Sequence, residues 1–222
     1  MWMCSTFEKL DPLGNYRELM LIASNLSCKR NEKFLFSKLG FSLDFGQKLH
    51  IQGKNGAGKS SLLRILAGLL KPNTGNVQLG SMSVCSLEYN RNFFYIGHLT
   101  GMKPELSCYD NLQFWSRIYG CKERAPRDVL AHMGIEELAH MRVCECSAGQ
   151  KQRLALARLF LEPRLLWLLD EPYASLDSDG ADIMTNHIDR FCLQGGIAIV
   201  VEHDKPPLHS SAKGQFEILN LG

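Results

Sequence analysis

The residues with the most specific chemistry form a glycine-rich segment around residue 55. The segment reads Gly53-Lys54-Asn55-Gly56-Ala57-Gly58-Lys59-Ser60 and fits G-x-x-x-x-G-K-S/T, the pattern of a phosphate-binding loop. A predicted strand, Lys48 to Gln52, precedes it and a predicted helix, Ser60 to Leu70, follows it, which is the context that the motif requires. Glycines let backbone N–H groups surround phosphate oxygens, and the helix N-terminus adds positive potential. The segment therefore predicts a site for the phosphates of a nucleotide.

Side chains at the end of this loop have separate expected roles. Lys59 is expected to reach the β- and γ-phosphates, and the Ser60 hydroxyl is expected to ligate Mg²⁺, with Ser61 next to it in the site. On its own, the loop indicates an NTPase or a kinase. ATP and Mg²⁺ are the expected cofactors.

An acidic pair supplies the second part of such a site. The apolar segment Leu165 to Leu169 is predicted to be a buried strand, and it ends on Asp170 and Glu171. Ligands of parallel sheets bind at the carboxyl ends of strands. Asp170 is expected to hold Mg²⁺, and Glu171 to orient and polarise the attacking water as a general base. The alternative is an ordinary solvated turn after a strand.

A third motif lies between the other two in sequence. Ser147, Gly149 and Gln150 stand at the start of a predicted helix, Lys151 to Leu161, where a hydroxyl and glycine N–H groups suit an anion. Alone, this pattern is more often a helix cap. In this order, Cys146-Ser147-Ala148-Gly149-Gln150 resembles the L-S-G-G-Q signature of the ABC ATPases.

The resemblance implies a composite active site shared by two copies of the chain. In ABC ATPases, the signature of one subunit covers the γ-phosphate held by the phosphate loop of the other. Asp177, in Ala174-Ser175-Leu176-Asp177, is similar to the loop that links the two sites, and His203 is similar to the histidine that contacts the γ-phosphate. The family also implies a separate membrane-spanning partner.

Residues around His98 narrow the resemblance to one type of ABC ATPase. Most ABC ATPases carry glutamine where this chain has His98, and the sequence from Gly97 to Leu106 resembles the CcmA-type subunit of cytochrome c biogenesis, described as the ATPase of a haem exporter. That resemblance implies a homodimer on an integral CcmB-type subunit, at the cytoplasmic face of the inner (plasma) membrane, with no nucleic acid partner. His98 itself either ligates Mg²⁺ or positions water, or it reports partner engagement; both stay open. Alternative functions are the ATPase subunit of another ABC exporter and a soluble ABC ATPase outside transport.

Other positions depart from the family pattern or indicate a partner surface. Glu202 stands where a small hydroxyl residue is common. The loop around Lys29 to Glu32 offers no aromatic residue before Phe34 to stack on the base, so the Arg30 guanidinium is the candidate. The segment Met102 to Tyr119 is the candidate groove for the membrane partner. Its aromatic and aliphatic residues either line that groove or form the core of a helical subdomain: Phe114, Trp115, Ile118 and Tyr119.

The elements that position these motifs predict an α/β fold. Short strands are predicted at Met20 to Leu26, Phe41 to Phe45 and Lys48 to Gln52. Helical patterning runs from about residue 104 to 161, and buried strands at Leu165 to Leu169 and Ile197 to Val201 flank a predicted helix, Asp179 to Phe191. This alternation predicts βαβ units and a parallel sheet. The expected fold is a P-loop NTPase (RecA-like) core with an N-terminal antiparallel β region and an inserted helical subdomain, about 99–161. Residues 1–18 are expected to be a flexible extension and 19–222 a single ABC ATPase domain.

Length, composition and charge agree with this picture. The 222 residues suffice for one such domain, with 45% hydrophobic and 22% charged residues and a net charge of +2. This small charge gives no support to nucleic acid binding. No apolar run is long enough to cross a membrane, and Met1 to Arg17 lacks the features of a signal peptide. The eight scattered cysteines are expected to be reduced thiols in a cytosolic compartment.

Overall fold

A computed structural model describes residues 20–98, 101–120, 124–202 and 216–221. The predicted extension 1–18 and His203 lie outside these ranges. The chain divides into two compact units. The first, here called the sheet unit, comprises the residues up to Tyr95, Arg164–Glu171, and the residues from Asn186 onward. The second, the helical unit, comprises Ile96–Pro163 and Pro172–Thr185.

The sheet unit begins with an antiparallel sheet in the order β2-β1-β4-β5. Its strands are β1 (Leu21–Arg30), β2 (Lys33–Leu43), β4 (Thr74–Leu79) and β5 (Met82–Ser83). The predicted strand Phe41 to Phe45 overlaps the end of the longer β2, which stops at Leu43. The pairing of β2 with β1 contains register shifts. The antiparallel region was thus predicted, but the full length of the β1–β2 hairpin was not, because register shifts interrupt its alternation of apolar and polar residues.

A second sheet contains the buried strands and has the order β6-β7-β8-β3-β9. Its members are β3 (Lys48–Gly53), β6 (Phe93–Ile96), β7 (Leu166–Asp170), β8 (Ile197–Val201) and β9 (Phe216–Leu221). β3 pairs parallel with β8 and β9, and β7 pairs parallel with β8. Strands β7 and β8 are buried at every residue, as expected for parallel strands covered on both faces. The predicted parallel sheet is present, and the strand before the phosphate loop is one of its central members.

Three helices belong wholly or partly to the sheet unit. Helix α1 (Lys59–Leu66) follows the phosphate loop, α2 (Leu87–Asn90) precedes β6, and α6 (Ser178–Leu193) begins in the helical unit. The sequence predicted α1 to continue to Leu70, but it ends at Leu66, with Ala67 as its C-cap. Gly68 then takes φ 69°, and an added Cβ would lie 3.1 Å from the Val84 carbonyl oxygen. The prediction ran past the end of the helix because Leu69 and Leu70 continue the apolar pattern of the sequence. In the structure both side chains are exposed and are not part of the packed face.

The described residues of the helical unit contain three complete α-helices, three 3₁₀ turns and the start of α6. The helices are α3 (Cys108–Tyr119), α4 (Pro126–His132) and α5 (Ala148–Ala157). The 3₁₀ turns are Glu136–Leu138, Val143–Glu145 and Arg158–Phe160. The predicted helix Lys151 to Leu161 corresponds to α5 and the 3₁₀ turn after it, so its beginning was placed three residues late. Within the described ranges, no helix is long and apolar enough to cross a membrane.

Candidate functional site

The glycine-rich loop connects β3 to α1 and surrounds its own lysine. Lys59 is buried, and its Nζ donates hydrogen bonds to the carbonyl oxygens of Gly53 at 2.6 Å and Lys54 at 3.2 Å. Gly58 caps α1 with φ 101°, a conformation that favours glycine. An added Cβ there would lie 3.0 Å from Leu35 Cβ. The loop residues predicted to bind phosphate therefore form one turn, closed by the Lys59 ammonium.

Ser60 and Asp170 meet at the start of α1 and the end of β7. The Ser60 hydroxyl donates to Asp170 Oδ1 at 3.3 Å, and Asp170 is buried. Two hard oxygen donors at this separation are the ligand type that Mg²⁺ takes in proteins. The structure therefore brings together the two residues predicted to bind the metal.

Glu171 follows Asp170 in a conformation that is uncommon for a residue with a side chain. Its φ is 55°, and its N–H donates to the Val201 carbonyl at 2.9 Å. A left-handed conformation costs about 1–2 kcal/mol for a non-glycine residue. Such strain is concentrated at functional sites. The hydrogen bond to β8 holds the residue in this geometry at the carboxyl end of the sheet.

One pocket of about 420 Å³ joins the loop to Glu171. Its lining residues all belong to the sheet unit: Arg30, Leu35, Asn55, Gly56, Gly58, Lys59, Ser60, Ser61 and Glu171. Arg30, the candidate for base stacking, lies in this lining at the end of β1. Leu35 was not predicted, because an apolar residue on a hairpin carries no sequence signal for ligand contact.

The signature residues lie in the helical unit and begin α5. Ser147 is the N-cap: its hydroxyl accepts from the Gln150 N–H at 3.2 Å, and Gln150 Oε1 accepts from the Ser147 N–H at 2.8 Å. This reciprocal pair is a capping box. Gly149 packs so closely that a Cβ there would lie 2.7 Å from the Ser175 carbonyl oxygen. Ser147 can cap the helix and bind a phosphate at the same time, because its O–H remains a hydrogen-bond donor while its oxygen accepts.

Asp177 is joined to the signature helix by an ion pair. Arg153 Nη2 and Asp177 Oδ1 are 2.6 Å apart, and the same carboxylate oxygen accepts from the Gly180 N–H at 3.0 Å. The hydrogen bond from Arg153, followed by that from Gly180, lowers the pKa of Asp177. The partner Arg153 was missed, although its position three residues after Gln150 places it on the same helix face.

A second pocket, of about 390 Å³, lies within the helical unit. It is lined by Gly134, Ile135, Glu137, Ser147, Gly149, Gln150, Arg153, Ser175 and Asp177. The signature residues and Asp177 therefore share one concave surface. Nothing in the sequence marks the segment around Glu137 as part of it.

The remaining predicted residues lie elsewhere. His98 is exposed in the helical unit, and it lines neither pocket. Glu202 is buried, with Oε1 3.6 Å from Nδ1 of His50, which is also buried. Glu202 thus faces a histidine of β3 and is not part of the pocket lining.

Comparisons with known proteins agree with these features. The family model described as ABC transporter matches residues 36–174. The chain is 39% identical over 196 residues to the cytochrome c biogenesis ATP-binding export protein CcmA of Haemophilus influenzae, covering 86% of this chain and 92% of that protein. It is 43% identical over 185 residues to the protein of the same name from Xanthomonas axonopodis pv. citri, covering 83% and 86%.

Solved structures match the fold. An ABC transporter ATP-binding protein from Pyrococcus furiosus superposes with a TM-score of 0.77 at 22% identity, covering 91% of this chain and 97% of that one. A dimeric ATP-binding cassette in a post-hydrolysis state, bound to ADP and inorganic phosphate, gives 0.77 at 22% identity, covering 90% and 94%. The predicted fold class is confirmed.

Proposed function

This chain belongs to the ABC transporter family, among the cytochrome c biogenesis ATP-binding export proteins, and from this we propose that it hydrolyses ATP to drive a membrane-embedded export partner. One observation carries the proposal. The Ser60–Asp170 contact, the Lys59 loop and Glu171 converge on the same end of the parallel sheet. That arrangement suits transfer of a phosphoryl group to water.

The loop residues bind and orient the triphosphate. Backbone N–H groups from Gly53 to Ser61 surround the phosphates, and Lys59 exchanges its two carbonyl partners for phosphate oxygens. Ser60 and Asp170 would hold Mg²⁺, directly or through water, and the ion would neutralise charge on the β- and γ-phosphates. The contact between these residues supports the proposal, because their oxygens already lie 3.3 Å apart.

Glu171 acts on the attacking water. Glu171 lines the pocket together with Lys59 and Ser60, and the hydrogen bond from its own N–H to Val201 fixes the backbone that carries its carboxylate. A positioned carboxylate accepts the proton of the water as the phosphoryl group transfers. His203 is proposed to contact the γ-phosphate, on the family resemblance alone.

Arg30 and Leu35 are proposed to hold the base. A guanidinium plane stacks on any base, and Leu35 adds an apolar contact. The guanidinium N–H groups can also donate to the N7 acceptor that adenine and guanine share, and to O6 of guanine, so neither purine is rejected. We therefore expect GTP to be hydrolysed about as efficiently as ATP, measured as kcat/KM for both nucleotides.

Two copies of the chain are proposed to complete each site. The hydroxyl of Ser147 and the N–H groups at the start of α5, including that of Gly149, form an anion-binding surface next to Gln150 and Asp177. In this arrangement they cover the γ-phosphate bound by the partner's loop. His98 keeps both proposed roles, in contact with Mg²⁺ or water and in reporting partner engagement.

The membrane partner is proposed to bind the aromatic face of α3. Ile118 is 55% exposed, and Phe114, Trp115 and Tyr119 are half-buried. The Trp115 and Tyr119 rings stack with centroids 5.5 Å apart, so the surface is ordered and partly apolar. The names of the relatives specify ATP binding and export in cytochrome c biogenesis. A CcmB-type integral subunit at the cytoplasmic membrane face, with haem as the exported group, is proposed on the family resemblance. Loss of c-type cytochromes in a strain lacking this chain would test that assignment.

Replacement of Glu171 by glutamine tests the hydrolytic mechanism. The amide keeps the shape of the side chain but cannot accept a proton, so we expect turnover to fall by about 100-fold or more, with nucleotide binding retained. Glu88→Gln is the matched control, because Glu88 is an exposed glutamate on α2 outside the pocket. Steady-state phosphate release and binding of a fluorescent ATP analogue give the two measurements. Equal turnover in the Glu171→Gln and unmodified proteins would contradict the proposal.

A further inference from the structure

Two buried thiols touch immediately before the signature helix. Cys108 Sγ and Cys146 Sγ lie 3.6 Å apart, and the residues are 1% and 5% exposed. Cys108 is the first residue of α3. Cys146 directly precedes Ser147, the N-cap of α5. Neither thiol has a role in the proposed hydrolysis of ATP.

Backbone hydrogen bonds, and not only the side-chain rotamers of the two cysteines, hold these thiols together. The segments that carry them are joined by hydrogen bonds in both directions: Cys108 N to Met141 O (2.9 Å), Tyr109 N to Ala139 O (3.0 Å), Val143 N to Leu106 O (3.0 Å) and Cys144 N to Pro104 O (2.9 Å). Ser107 and Arg142 form a further bridge between them. The proximity of the sulfurs is therefore a property of the fold of the helical unit.

We propose that Cys108 and Cys146 are a site of oxidative modification, at which a peroxide converts the two thiols into a disulfide and thereby slows ATP turnover. The peroxide oxidises one thiol to a sulfenic acid and releases water. The other sulfur then attacks the sulfenic sulfur, and a second water leaves as the Sγ–Sγ bond forms. Two thiols and one hydrogen peroxide thus give one disulfide and two waters.

We expect closure of the bond to move the start of the signature. A disulfide bond is about 2.05 Å long, so the sulfurs approach by about 1.5 Å from their observed contact. Ser147 follows Cys146 in the chain, and its hydroxyl is the proposed phosphate ligand. A displacement of about 1 Å at such a group can reduce turnover roughly 100-fold. This consequence rests on the proposed function, whereas the pairing of the two thiols does not.

Burial also sets the speed of the reaction. Desolvation, followed by the contact with Cys146, raises the pKa of Cys108 to about 12, and the thiolate is the reactive form. The pair therefore reacts slowly, and the exposed Cys85 and Cys144 react first. Sustained exposure to peroxide, rather than a brief pulse, closes the bond.

The test uses the purified full-length chain exposed to hydrogen peroxide. Peptide mass mapping is expected to find Cys108 linked to Cys146 with the loss of two hydrogens. ATP turnover is expected to fall roughly tenfold or more and to recover with dithiothreitol, while binding of a fluorescent ATP analogue to the phosphate loop persists. Cys108→Ser and Cys146→Ser should each resist the reversible loss. Cys108→Ala replaces Cys108→Ser if the serine variant does not fold.

Matched controls remove the two thiols that are exposed among the described residues. Cys85→Ser and Cys144→Ser should remain as sensitive as the unmodified chain. Absence of the linked peptide, full turnover by the linked protein, or the same reversible loss in a Cys108 variant would each overturn the proposal. If the reduced protein itself does not hydrolyse ATP, the proposed function fails, and the linked peptide still decides the pairing.

Discussion

Glu202 differs from the small hydroxyl residue common at its position in the family, and its surroundings explain how the chain accommodates it. Its carboxylate lies 3.6 Å from His50 on the neighbouring strand β3, and both side chains are buried. The Glu202 N–H also donates to the Ile51 carbonyl at 3.3 Å. A buried carboxylate needs such a neighbour, because transfer from water to the interior disfavours its charge.

Glu202→Ala should lower the free energy of unfolding by about 1–3 kcal/mol, because it removes the partner of a buried polar group. If the two side chains act as a pair, the effects of His50→Ala and Glu202→Ala should not add, with a coupling energy above about 0.5 kcal/mol. Urea unfolding of both single variants and the double variant measures this coupling. Strict additivity would show that the two residues are independent.

The ion pair between Arg153 and Asp177 gives a prediction about pH. The pKa of Asp177 is lowered in the folded chain, so the ionised carboxylate contributes stability above its unfolded pKa. That contribution is lost as the pH falls through the lowered folded pKa. Arg153→Met should therefore raise the pKa of Asp177 toward its ordinary value, as followed by carboxyl ¹³C shifts. Arg127→Met is the matched control, because Arg127 pairs with Glu136 and should leave Asp177 unchanged.

At the scale of elements, α3 and α5 begin with the same cap. Ser107 accepts from the Asp110 N–H at 3.0 Å, and Ser147 accepts from the Gln150 N–H at 3.2 Å. Replacement of either serine by alanine should cost about 1 kcal/mol of stability. Only Ser147→Ala should also reduce ATP turnover, because Ser147 lies in the proposed phosphate surface. Thermal unfolding measures the loss of stability, and phosphate release measures the loss of turnover. An equal loss of turnover in both variants would indicate that Ser147 acts only as a helix cap.

Elements with one strong local signal were predictable from the sequence. Ile197–Val201 was placed without error, since a short apolar run rich in β-branched residues between a Gly-Gly pair and Glu202 favours a buried strand. The predicted end of α1 was wrong, because Leu69 and Leu70 continue the apolar pattern in the sequence although both are exposed in the structure. The Arg153–Asp177 pair spans 24 residues of sequence, and the Cys108–Cys146 contact spans 38. Such contacts depend on how elements pack, which no local pattern encodes.

At the scale of the whole molecule, the described site residues fall into two groups along the chain. The sheet unit carries the phosphate loop, Asp170 and Glu171, whereas the helical unit carries the signature, Asp177 and His98. Suppose that the sheet-unit residues of one copy form a site with the helical-unit residues of another copy. A chain inactivated in its sheet-unit residues can then be compensated by a second chain that is altered only in its helical-unit residues. A site completed within one copy allows no such compensation.

Mixing two inactive variants therefore tests whether the active site is shared. Lys59→Ala removes the phosphate contact and Ser147→Arg blocks the signature, so homodimers of either variant should not turn over ATP. A heterodimer pairs the intact loop of the Ser147→Arg chain with the intact signature of the Lys59→Ala chain, and so contains one complete site. With random exchange and independent sites, the mixture should recover about a quarter of normal activity per chain. Phosphate release after mixing, with Lys59→Ala plus the doubly altered chain as control, measures the recovery. No recovery, despite heterodimers shown by native mass spectrometry, would exclude independent shared sites.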